Sequence, residues 1–269
     1  MITSNNNAKV KQVVQWQTKA KERRKDHVFL AEGVRMCEEA PVKNVREVYL
    51  TEELEQKIRQ NAQYGDAAFW DKLQQTGYET VSTEVFAKMA DTQTPQGILT
   101  VLEQPVYDLT QLLEQPDPLF LMLENLQDPG NLGTMIRTGE GAGITGVIMN
   151  NQTVDIFNPK TIRATMGSIF RVPFVYVPDL APVLEQMHAK GIHTYAAHLK
   201  GQEYYDSFSF REPTAFLIGN EGNGLSKEIS DQAGQYLKIP MEGRVESLNA
   251  SIAAALLMYE AHRQRSARL

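Results

Sequence analysis

The chain has 269 residues, of which 42% are hydrophobic and 22% are charged, a composition typical of a globular protein with one or two domains. No apolar run approaches the roughly 18 residues of a membrane-spanning helix, and the first residues lack the apolar core of a secretory signal. We therefore expect a cytoplasmic protein without a membrane anchor. The single cysteine, Cys37, excludes a disulfide framework and a multi-cysteine zinc site, and the five histidines form no metal-binding pattern, so no metal site is predicted.

The net charge of −6 offers no general attraction for nucleic acid, but the first 25 residues have the opposite sign. This segment indicates either a helix whose charges are simply solvated or an arm that contacts phosphate groups. Both interpretations stay open at this point. It contains one glutamate and seven basic residues, namely Lys9, Lys11, Lys19, Lys21, Arg23, Arg24 and Lys25.

Residues 28–102 alternate between short apolar runs and short amphipathic segments. The segment over 105–116 contains prolines and little apolar periodicity, so we interpret it as a linker. The sequence therefore predicts a small α/β domain over 1–104 and a second domain over 117–269. In the first domain, strands are predicted over 28–31, 45–50, 78–81 and 97–102, and helices over 33–40, 51–62 and 82–90.

The second domain continues the alternation of strands and helices. Its first strand, over 119–126, is a continuous apolar run, which is typical of a strand buried in a parallel sheet. The alternation predicts a parallel sheet with helices on both faces. Further strands are predicted over 146–150, 174–177, 193–198, 214–219 and 236–240, and helices near 131–141, 159–166, 180–190, 226–232 and 247–265.

Three segments rich in glycine and asparagine follow strands of the second domain, and the first of them spans 124–143. Asp128-Pro129-Gly130 predicts a turn, and Asn131 can cap the helix that follows it. Six residues at 100° each place Arg137 about 120° round the helix from Asn131. Both side chains then lie on the exposed N-terminal half of the helix and can meet one ligand, which we favour over the alternative of a capped helix with a surface arginine.

The second segment, 216–226, is a buried strand followed by a loop with three glycines, which let a ligand approach the backbone closely. The C-terminal edge of a parallel sheet is where ligands of open α/β folds bind. The third segment, 239–261, places Ser247 and Asn249 at the start of a helix, where free N–H groups suit polar or anionic ligands. Small side chains from Ala250 to Leu257 allow another element to pack closely against that helix.

Residues 141–146 match the G-x-G-x-x-G spacing of dinucleotide-binding loops. Such a loop follows a strand and opens a helix. Here the glycines end a predicted helix and precede a predicted strand, so Gly141 and Gly143 are better interpreted as a helix C-cap. A nicotinamide-dependent enzyme is therefore disfavoured.

In their order and spacing, the three segments closely resemble the SpoU/TrmH family of RNA ribose 2′-O-methyltransferases, within the SPOUT superfamily. Residues 158–173 look like the connector of that family, and residues 29–40 and 89–102 look like its N-terminal substrate-binding domain. The resemblance thus covers nearly the whole chain. The residues that match the catalytic motifs are Asn131, Arg137, Glu221, Ser247 and Asn249.

The resemblance implies a parallel sheet whose C-terminal segment is threaded through a loop to form a deep trefoil knot. It also implies a homodimer with its active site near the subunit interface, and S-adenosylmethionine bound within the knot, largely by backbone groups. The implied substrate is a structured RNA, with ribosomal RNA favoured over transfer RNA. The alternatives are a tRNA 2′-O-methyltransferase and a catalytically inactive RNA-binding relative. The implied cofactor-binding residues are Ala196, Ala197, Gly219, Asn220, Gly222, Ile239, Met241, Ser247, Leu248 and Asn249.

The resemblance also suggests roles for the matching side chains. Two alternatives stay open for the chemistry: Arg137 clamps the phosphate beside the target ribose and lowers the pKa of the hydroxyl, or a substrate phosphate takes the proton. A guanidinium, with a pKa above roughly 12, is a poor general base. Asn131 is expected to orient the ribose or Arg137, Ser247 and Asn249 to complete the site, and Glu221 to hold Asn131 or Arg137 in place.

Overall fold

The computed structural model describes residues 1–60 and 67–266, and the chain forms two compact units. The first unit comprises Met1–Pro105 together with Asp155–Phe170, and the second comprises Val106–Val154 together with Arg171–Leu269. The segment Asp155–Phe170 thus packs in the first unit although it follows the first strands of the second unit along the chain. The domain boundaries drawn from the sequence stay a prediction.

The first unit is built on a four-stranded sheet in the order β1-β4-β2-β3, in which β4 is antiparallel to β1 and β2, and β3 is parallel to β2. All four strands were predicted. Its elements are α1 (Ala8–Thr18), α2 (Ala20–Asp26), β1 (Val28–Glu32), α3 (Val34–Glu39), β2 (Val45–Thr51), α4 (Glu52–Gln60), α5 (Ala67–Thr76), β3 (Glu79–Val81), α6 (Thr83–Met89), β4 (Ile98–Glu103) and, later in the chain, α9 (Pro159–Thr165).

The structure tests two predictions for the first unit and adds one helix. Helix α4 begins at Glu52 because Thr51 ends strand β2, where its hydroxyl accepts a hydrogen bond from the Leu54 N–H at 3.3 Å. Positions 61 and 62 of the predicted helix lie outside the described residues. Helix α5 was not predicted. Cys37 is buried, as expected of a packing residue. Its burial raises the pKa of the thiol to about 12.

The segment Asp155–Phe170 is anchored in the first unit by apolar and ionic contacts. Phe29 of β1 packs against Phe157 and Phe170, with ring centroids 5.0 and 6.2 Å apart. Arg23 is 3% exposed, and one of its terminal nitrogens lies 2.6 Å from a carboxylate oxygen of Asp155. Its guanidinium also donates to the backbone carbonyl oxygen of Trp16 at 2.7 Å. Arg23 is therefore a structural residue of the first unit.

The second unit is built on a seven-stranded sheet in the order β7-β6-β5-β10-β8-β11-β9, and every strand pair in it is parallel, as predicted. The elements are α7 (Leu109–Leu113), β5 (Leu119–Leu123), α8 (Pro129–Ala142), β6 (Gly146–Asn150), β7 (Phe174–Val177), α10 (Ala181–Ala189), β8 (His193–Ala197), β9 (Glu203–Tyr204), β10 (Thr214–Ile218), α11 (Lys227–Gln232), β11 (Gln235–Lys238) and α12 (Ala250–Ser266).

Two short elements of the second unit were missed. Helix α7 lies in the segment interpreted as a linker, where the Asp108 side chain caps it by accepting from the Gln111 N–H at 2.9 Å. Strand β9 has two residues, too few for a periodic pattern, and pairs only with β11. The threading of the C-terminal segment implied by the family resemblance stays a prediction.

The strand order determines where the functional loops meet. Strand β10 lies between β5 and β8, and β11 lies on the other side of β8. Because these strands are parallel, the segments that follow β5, β8, β10 and β11 leave the sheet at the same edge. Over residues 1–60 and 67–266, no helix is both long and apolar enough to cross a membrane, and no three metal-ligating side chains are grouped to hold an ion.

Candidate active site at the carboxyl edge of the parallel sheet

Helix α8 begins with a different cap from the one predicted. The side chain of Asp128, not that of Asn131, caps the helix, because its Oδ1 accepts from the Asn131 N–H at 2.8 Å. Pro129 is the first helical residue, a position that needs no N–H donor. The prediction that Asn131 is the cap is therefore wrong, and its carboxamide is left to bind other side chains.

Glu221, in the loop after β10, binds the start of α8. Its Oε1 accepts from Asn131 Nδ2 and from the Asp128 N–H, both at 3.0 Å, and its Oε2 accepts from the Gln127 N–H at 3.0 Å. Burial opposes ionisation, but the bonds from Asn131, Asp128 and Gln127 outweigh it and lower the pKa of Glu221 below its usual value of 4.5. At neutral pH this side chain is a carboxylate that orients donors, and its low pKa makes it a weak base.

Asn249 connects the third motif to the first. Its Nδ2 donates to Asn131 Oδ1 at 3.0 Å, while its Oδ1 accepts from the backbone N–H and the hydroxyl of Ser251 at 2.9 and 2.7 Å. The two donors of Ser251 require an oxygen at that position, so they fix which way both amides point. A directed chain of hydrogen bonds therefore runs from Ser251 through Asn249 and Asn131 to Glu221.

Ser251 was not singled out from the sequence. It could have been recognised as a hydroxyl residue two positions after Asn249, because a side chain in the first turn of a helix can form a hydrogen bond with the side chain of the residue that caps the helix. Helix α12 begins at Ala250, and Asn249 caps it, since its backbone carbonyl also accepts from the Ala253 N–H at 3.0 Å. The predicted helix start at Ser247 is wrong for this reason.

The structure does not bring every candidate side chain into this chain of bonds. Arg137 lies exposed on α8, and its side chain makes no hydrogen bond or ion pair with residues 1–60 or 67–266. Ser247 is exposed in the loop before α12, and it likewise has no hydrogen-bond partner in the described chain. Arg137 and Ser247 are thus the two candidates whose polar groups are free to meet a substrate or cofactor.

The glycine loop after β10 closes on itself. The backbone N–H and carbonyl groups of Asn220 and Gly224 bond to each other at 3.0 and 2.9 Å, and Asn220 Oδ1 accepts from the N–H groups of Gly222 and Asn223, both at 3.0 Å. A Cβ on Gly219 would lie 2.1 Å from the carbonyl carbon of Gly224. The glycines of this loop were expected to let a ligand approach the backbone closely. At Gly219 it is the loop's own backbone that requires glycine.

The residues expected to bind S-adenosylmethionine lie at one edge of three neighbouring strands. Ala196 of β8 pairs with Leu217 of β10 and with Tyr236 of β11, and Ala197 pairs with Leu237. The loops that follow these three strands contain the other expected residues, Gly219, Asn220 and Gly222 after β10, and Ile239, Met241, Ser247, Leu248 and Asn249 after β11.

The backbone of the loop after β11 fits a ligand that is held by main-chain groups. Over residues 239–248 the N–H and carbonyl groups make no hydrogen bond to any described part of the chain. Such groups need a partner, which is either water or a ligand. The residues present are therefore compatible with a cofactor that is recognised largely through backbone N–H and carbonyl groups.

The prediction that the G-x-G-x-x-G segment ends a helix is confirmed for Gly143 and wrong for Gly141, which lies within the last turn of α8. Gly143 has a φ of +76° and caps the C-terminus of α8, and Gly146 is the first residue of β6. No strand precedes these glycines directly, and no helix begins after them, so the segment lacks the geometry of a dinucleotide-binding loop.

Two family models match the chain, in the order of the two units. The model of the SpoU rRNA Methylase family matches residues 118–259, and that of the MRM3-like substrate binding domain matches residues 7–100. A 23S rRNA (guanosine(2553)-2′-O)-methyltransferase of Bacillus subtilis (strain 168) is 34% identical over 261 residues, covering 96% of this chain and 97% of the relative. A 23S rRNA (uridine(2479)-2′-O)-methyltransferase of Streptomyces viridochromogenes is 33% identical over 69% of each chain.

Solved structures agree with these sequence matches. An AdoMet-bound rRNA methyltransferase from Sinorhizobium meliloti superposes with a TM-score of 0.84 at 30% identity, covering 97% of both chains. The SpoU methyltransferase AviRb from Streptomyces viridochromogenes, in complex with the cofactor AdoMet, gives a TM-score of 0.83 at 28% identity, over 97% of this chain and 99% of that one. With a family model that spans more than half of the sequence and a relative that is similar over nearly all of it, the chain belongs to the SpoU rRNA methylase family.

Proposed function

We propose that this chain is an enzyme that transfers a methyl group from S-adenosylmethionine to a ribose 2′-hydroxyl of ribosomal RNA. The observation that carries the proposal is the directed chain of hydrogen bonds that joins Asn131, Glu221 and Asn249. Relatives of the same family are named as 23S rRNA 2′-O-methyltransferases, and two of the solved relatives are described with AdoMet bound.

The chemistry makes positioning the main task of the protein. A ribose hydroxyl is a weak nucleophile, and the cofactor supplies its methyl group from a sulfonium centre in a one-step displacement, so the hydroxyl must be held in line with that methyl group. Arg137 is exposed and has no partner in the described chain, and its fork of N–H donors suits two oxygens of one phosphate. We assign it the clamp on the phosphate beside the target ribose.

The proton of the hydroxyl needs an acceptor other than these side chains. Arg137 is a poor base because guanidinium loses its proton only above a pH of roughly 12. Glu221 is not placed to take the proton, because its carboxylate already accepts three hydrogen bonds at the start of α8. As the bond from the ribose oxygen to the methyl group forms, the hydroxyl becomes a strong acid, so even a weakly basic acceptor can then take its proton. We therefore assign proton removal to a phosphate oxygen of the RNA, which Arg137 holds beside the hydroxyl. Ser247 and Asn249 complete the site at the start of α12.

Calorimetry with S-adenosylmethionine, S-adenosylhomocysteine and NADH tests the cofactor assignment, and transfer of a labelled methyl group tests the substrate. We expect micromolar binding of the first two ligands and none of NADH, followed by labelling of 23S ribosomal RNA and not of transfer RNA. Labelling of transfer RNA alone would make the chain a tRNA enzyme. Binding of RNA with no methyl transfer would make it an inactive relative, and either result would overturn the proposal. A cytoplasmic location follows from a ribosomal RNA substrate in a bacterial cell.

A basic face of the N-terminal helices is the surface to which we assign the RNA backbone. Lys21, Arg24 and Lys25 stand at i, i+3 and i+4 on one side of α2, and like charges at this spacing destabilise a helix. Phosphate groups of a bound RNA would neutralise these three charges and remove the repulsion that destabilises α2. Arg23 does not share this role because it is buried against Asp155. Five exposed basic side chains make no hydrogen bond or ion pair with the described chain, namely those of Lys11, Lys19, Lys21, Arg24 and Lys25.

Replacing Lys21, Arg24 and Lys25 together by glutamine is expected to weaken RNA binding without changing affinity for S-adenosylmethionine. If three phosphate contacts are lost, the slope of log K against log salt concentration falls by roughly 2 to 3. The matched control replaces Lys57 and Arg59, whose charges are paired with Glu53 and Glu55 at 2.6 and 2.7 Å. Equal salt slopes for the two variants would exclude this surface from the RNA interface.

A homodimer is also part of the proposal, and one face of α12 supports it. Ile252, Leu256 and Tyr259 stand at i, i+4 and i+7 and are 50, 37 and 49% exposed, so they form an apolar stripe on the surface of the second unit. A second copy of this chain would cover that stripe. Sedimentation of the purified chain is expected to give twice the monomer mass, and replacement of Leu256 by lysine is expected to give the monomer. A wild-type monomer at micromolar concentration would contradict this.

A further inference from the structure

Asn150, at the end of β6, is a buried polar residue that belongs to none of the three motifs. It is 8% exposed, whereas Val147, Ile148 and Met149 before it are fully buried apolar residues. Its Oδ1 accepts from the Asn125 N–H and from the Thr153 hydroxyl, both at 2.9 Å, and its Nδ2 donates to Asn125 Oδ1 at 2.8 Å. A carboxamide is retained at such a position only where its hydrogen bonds are made, because an unpaired one is costly to bury.

The partner of Asn150 is held in an unusual backbone conformation. Asn125 has a φ of +55°, in the left-handed region that few residues other than glycine adopt. Two hydrogen bonds to Asn150 stabilise this conformation: the Asn125 N–H donates to Asn150 Oδ1, and Asn125 Oδ1 accepts from Asn150 Nδ2. The Asn125 carbonyl is thereby aimed at Asn220, whose Nδ2 donates to it at 2.8 Å.

Asn220 passes this orientation on to the glycine loop. Since its Nδ2 is directed at the Asn125 carbonyl, its Oδ1 faces the N–H groups of Gly222 and Asn223 and accepts from both at 3.0 Å. Along the chain, Glu221 lies between Asn220 and the two residues, Gly222 and Asn223, whose N–H groups donate to Asn220. The direction of the Glu221 carboxylate towards α8 thus depends on a second set of hydrogen bonds, separate from the one that runs through Asn249 and Ser251.

We propose that Asn150 is a positioning residue for methyl transfer, which acts through Asn125 and Asn220 to set the loop that carries Glu221. The inference rests on the methyl-transfer function proposed above. Asn150 touches neither the substrate nor the cofactor in this assignment. Its contribution is to hold the loop after β10 in the one conformation in which Glu221 meets the N–H groups of Gln127 and Asp128.

The variant Asn150→Asp tests this role because it keeps the shape and changes one donor. Near pH 8 the aspartate lacks the N–H that Asn125 Oδ1 accepts and places a negative charge beside that oxygen. We expect kcat to fall by about 10- to 100-fold, with the KM for RNA unchanged, since small displacements in a site carry penalties of that size. As the pH is lowered, the buried aspartate becomes protonated, and its O–H can donate a hydrogen bond to Asn125 Oδ1 in place of the lost amide N–H. We therefore expect kcat to recover towards the wild-type value at low pH.

The control is Asn151→Asp, which introduces the same charge one residue later at an exposed position. It is expected to keep the wild-type kcat at every pH. The melting temperature of each variant is measured at each pH, so that kcat is compared only where the protein is folded. If Asn150→Asp is unfolded near pH 8, Thr153→Val replaces it as the test, because it removes the hydroxyl that donates to Asn150 and is expected to lower kcat several-fold in the folded protein.

Two results would overturn the inference. One is a kcat of folded Asn150→Asp that matches that of Asn151→Asp at all pH values. The other is a loss of activity that follows only the unfolded fraction, which would make Asn150 a purely structural residue. Failure of the wild-type chain to methylate RNA would instead count against the proposed function, so the two failures are distinguishable.

Discussion

Replacement of Arg137 by lysine is expected to reduce the kcat of methyl transfer by about 100-fold, the scale of effect seen when one preorganised donor to a developing charge is lost. Arg137 is exposed and makes no bond within the described chain, so its guanidinium is available to hold two oxygens of a phosphate at once. Lysine retains the charge but offers a single ammonium, which cannot reproduce that fork. The affinity for S-adenosylmethionine and the melting temperature are expected to stay at their wild-type values.

The measurement is single-turnover methylation of ribosomal RNA at saturating cofactor. Arg59→Lys is the matched control, because that arginine is exposed on α4 in the first unit and is paired with Glu55 at 2.7 Å, outside the three motifs. Near-full activity of Arg137→Lys would exclude the bidentate clamp and leave Arg137 as a simple positive charge. A large fall in cofactor affinity would instead move Arg137 from the RNA side of the site to the cofactor side.

Most strands could be predicted from local pattern, whereas their order could not. The apolar runs that became β6 and β7 were predicted with their observed bounds, because a strand buried on both faces leaves few polar residues. The insertion of β10 between β5 and β8 depends on pairings between residues roughly a hundred positions apart, such as Phe216 with Leu121. No period in the sequence reports such a pairing. The alternation of strands and helices predicted the parallel sheet, whereas the threaded topology was implied only by the family resemblance.

Helix α7 was missed because it is too short to show a period. It has five residues, and although its Leu112 and Leu113 are buried in the core of the second unit, five residues complete little more than one helical turn. Helix α5 was missed although it has ten residues, because its buried side chains, Phe69 and Leu73, stand only at i and i+4. Patterns of hydrophobicity detect helices whose apolar stripe extends over several turns.

The candidate site shows the same division between residue type and geometry. Asn131, Glu221 and Asn249 were selected because they match the motifs of a family, and the structure joins them by hydrogen bonds across 90 and 118 positions of sequence. Ser251 bonds to Asn249, and Asn150 bonds to Asn125 beside the first motif. A hydroxyl or an amide in apolar surroundings can be recognised as part of a site only once its partners are known. Spacing within one motif carries no information on contacts between motifs.

Replacement of Gly219 by alanine is expected to destabilise the protein and to abolish cofactor binding together. The added Cβ would lie 2.1 Å from the carbonyl carbon of Gly224 and from the N atom of Leu225, and both are backbone atoms that cannot turn aside. Overpacking of this kind costs about 3 kcal/mol of the free energy of unfolding. The loop can relieve the contact only by opening the paired hydrogen bonds between Asn220 and Gly224, which displaces Glu221 from the start of α8.

Chemical unfolding and calorimetry with S-adenosylmethionine measure the two effects side by side. Gly222→Ala is the matched control for stability, since a Cβ there meets only Asn220 Oδ1 at 3.5 Å, an ordinary contact, and its free energy of unfolding is expected to change by less than about 0.5 kcal/mol. Wild-type stability and cofactor affinity in Gly219→Ala would mean that the loop is open in solution. If Gly219→Ala is destabilised but still binds the cofactor with wild-type affinity, cofactor binding does not require this loop to be closed. The cofactor would then be bound by the loops after β8 and β11.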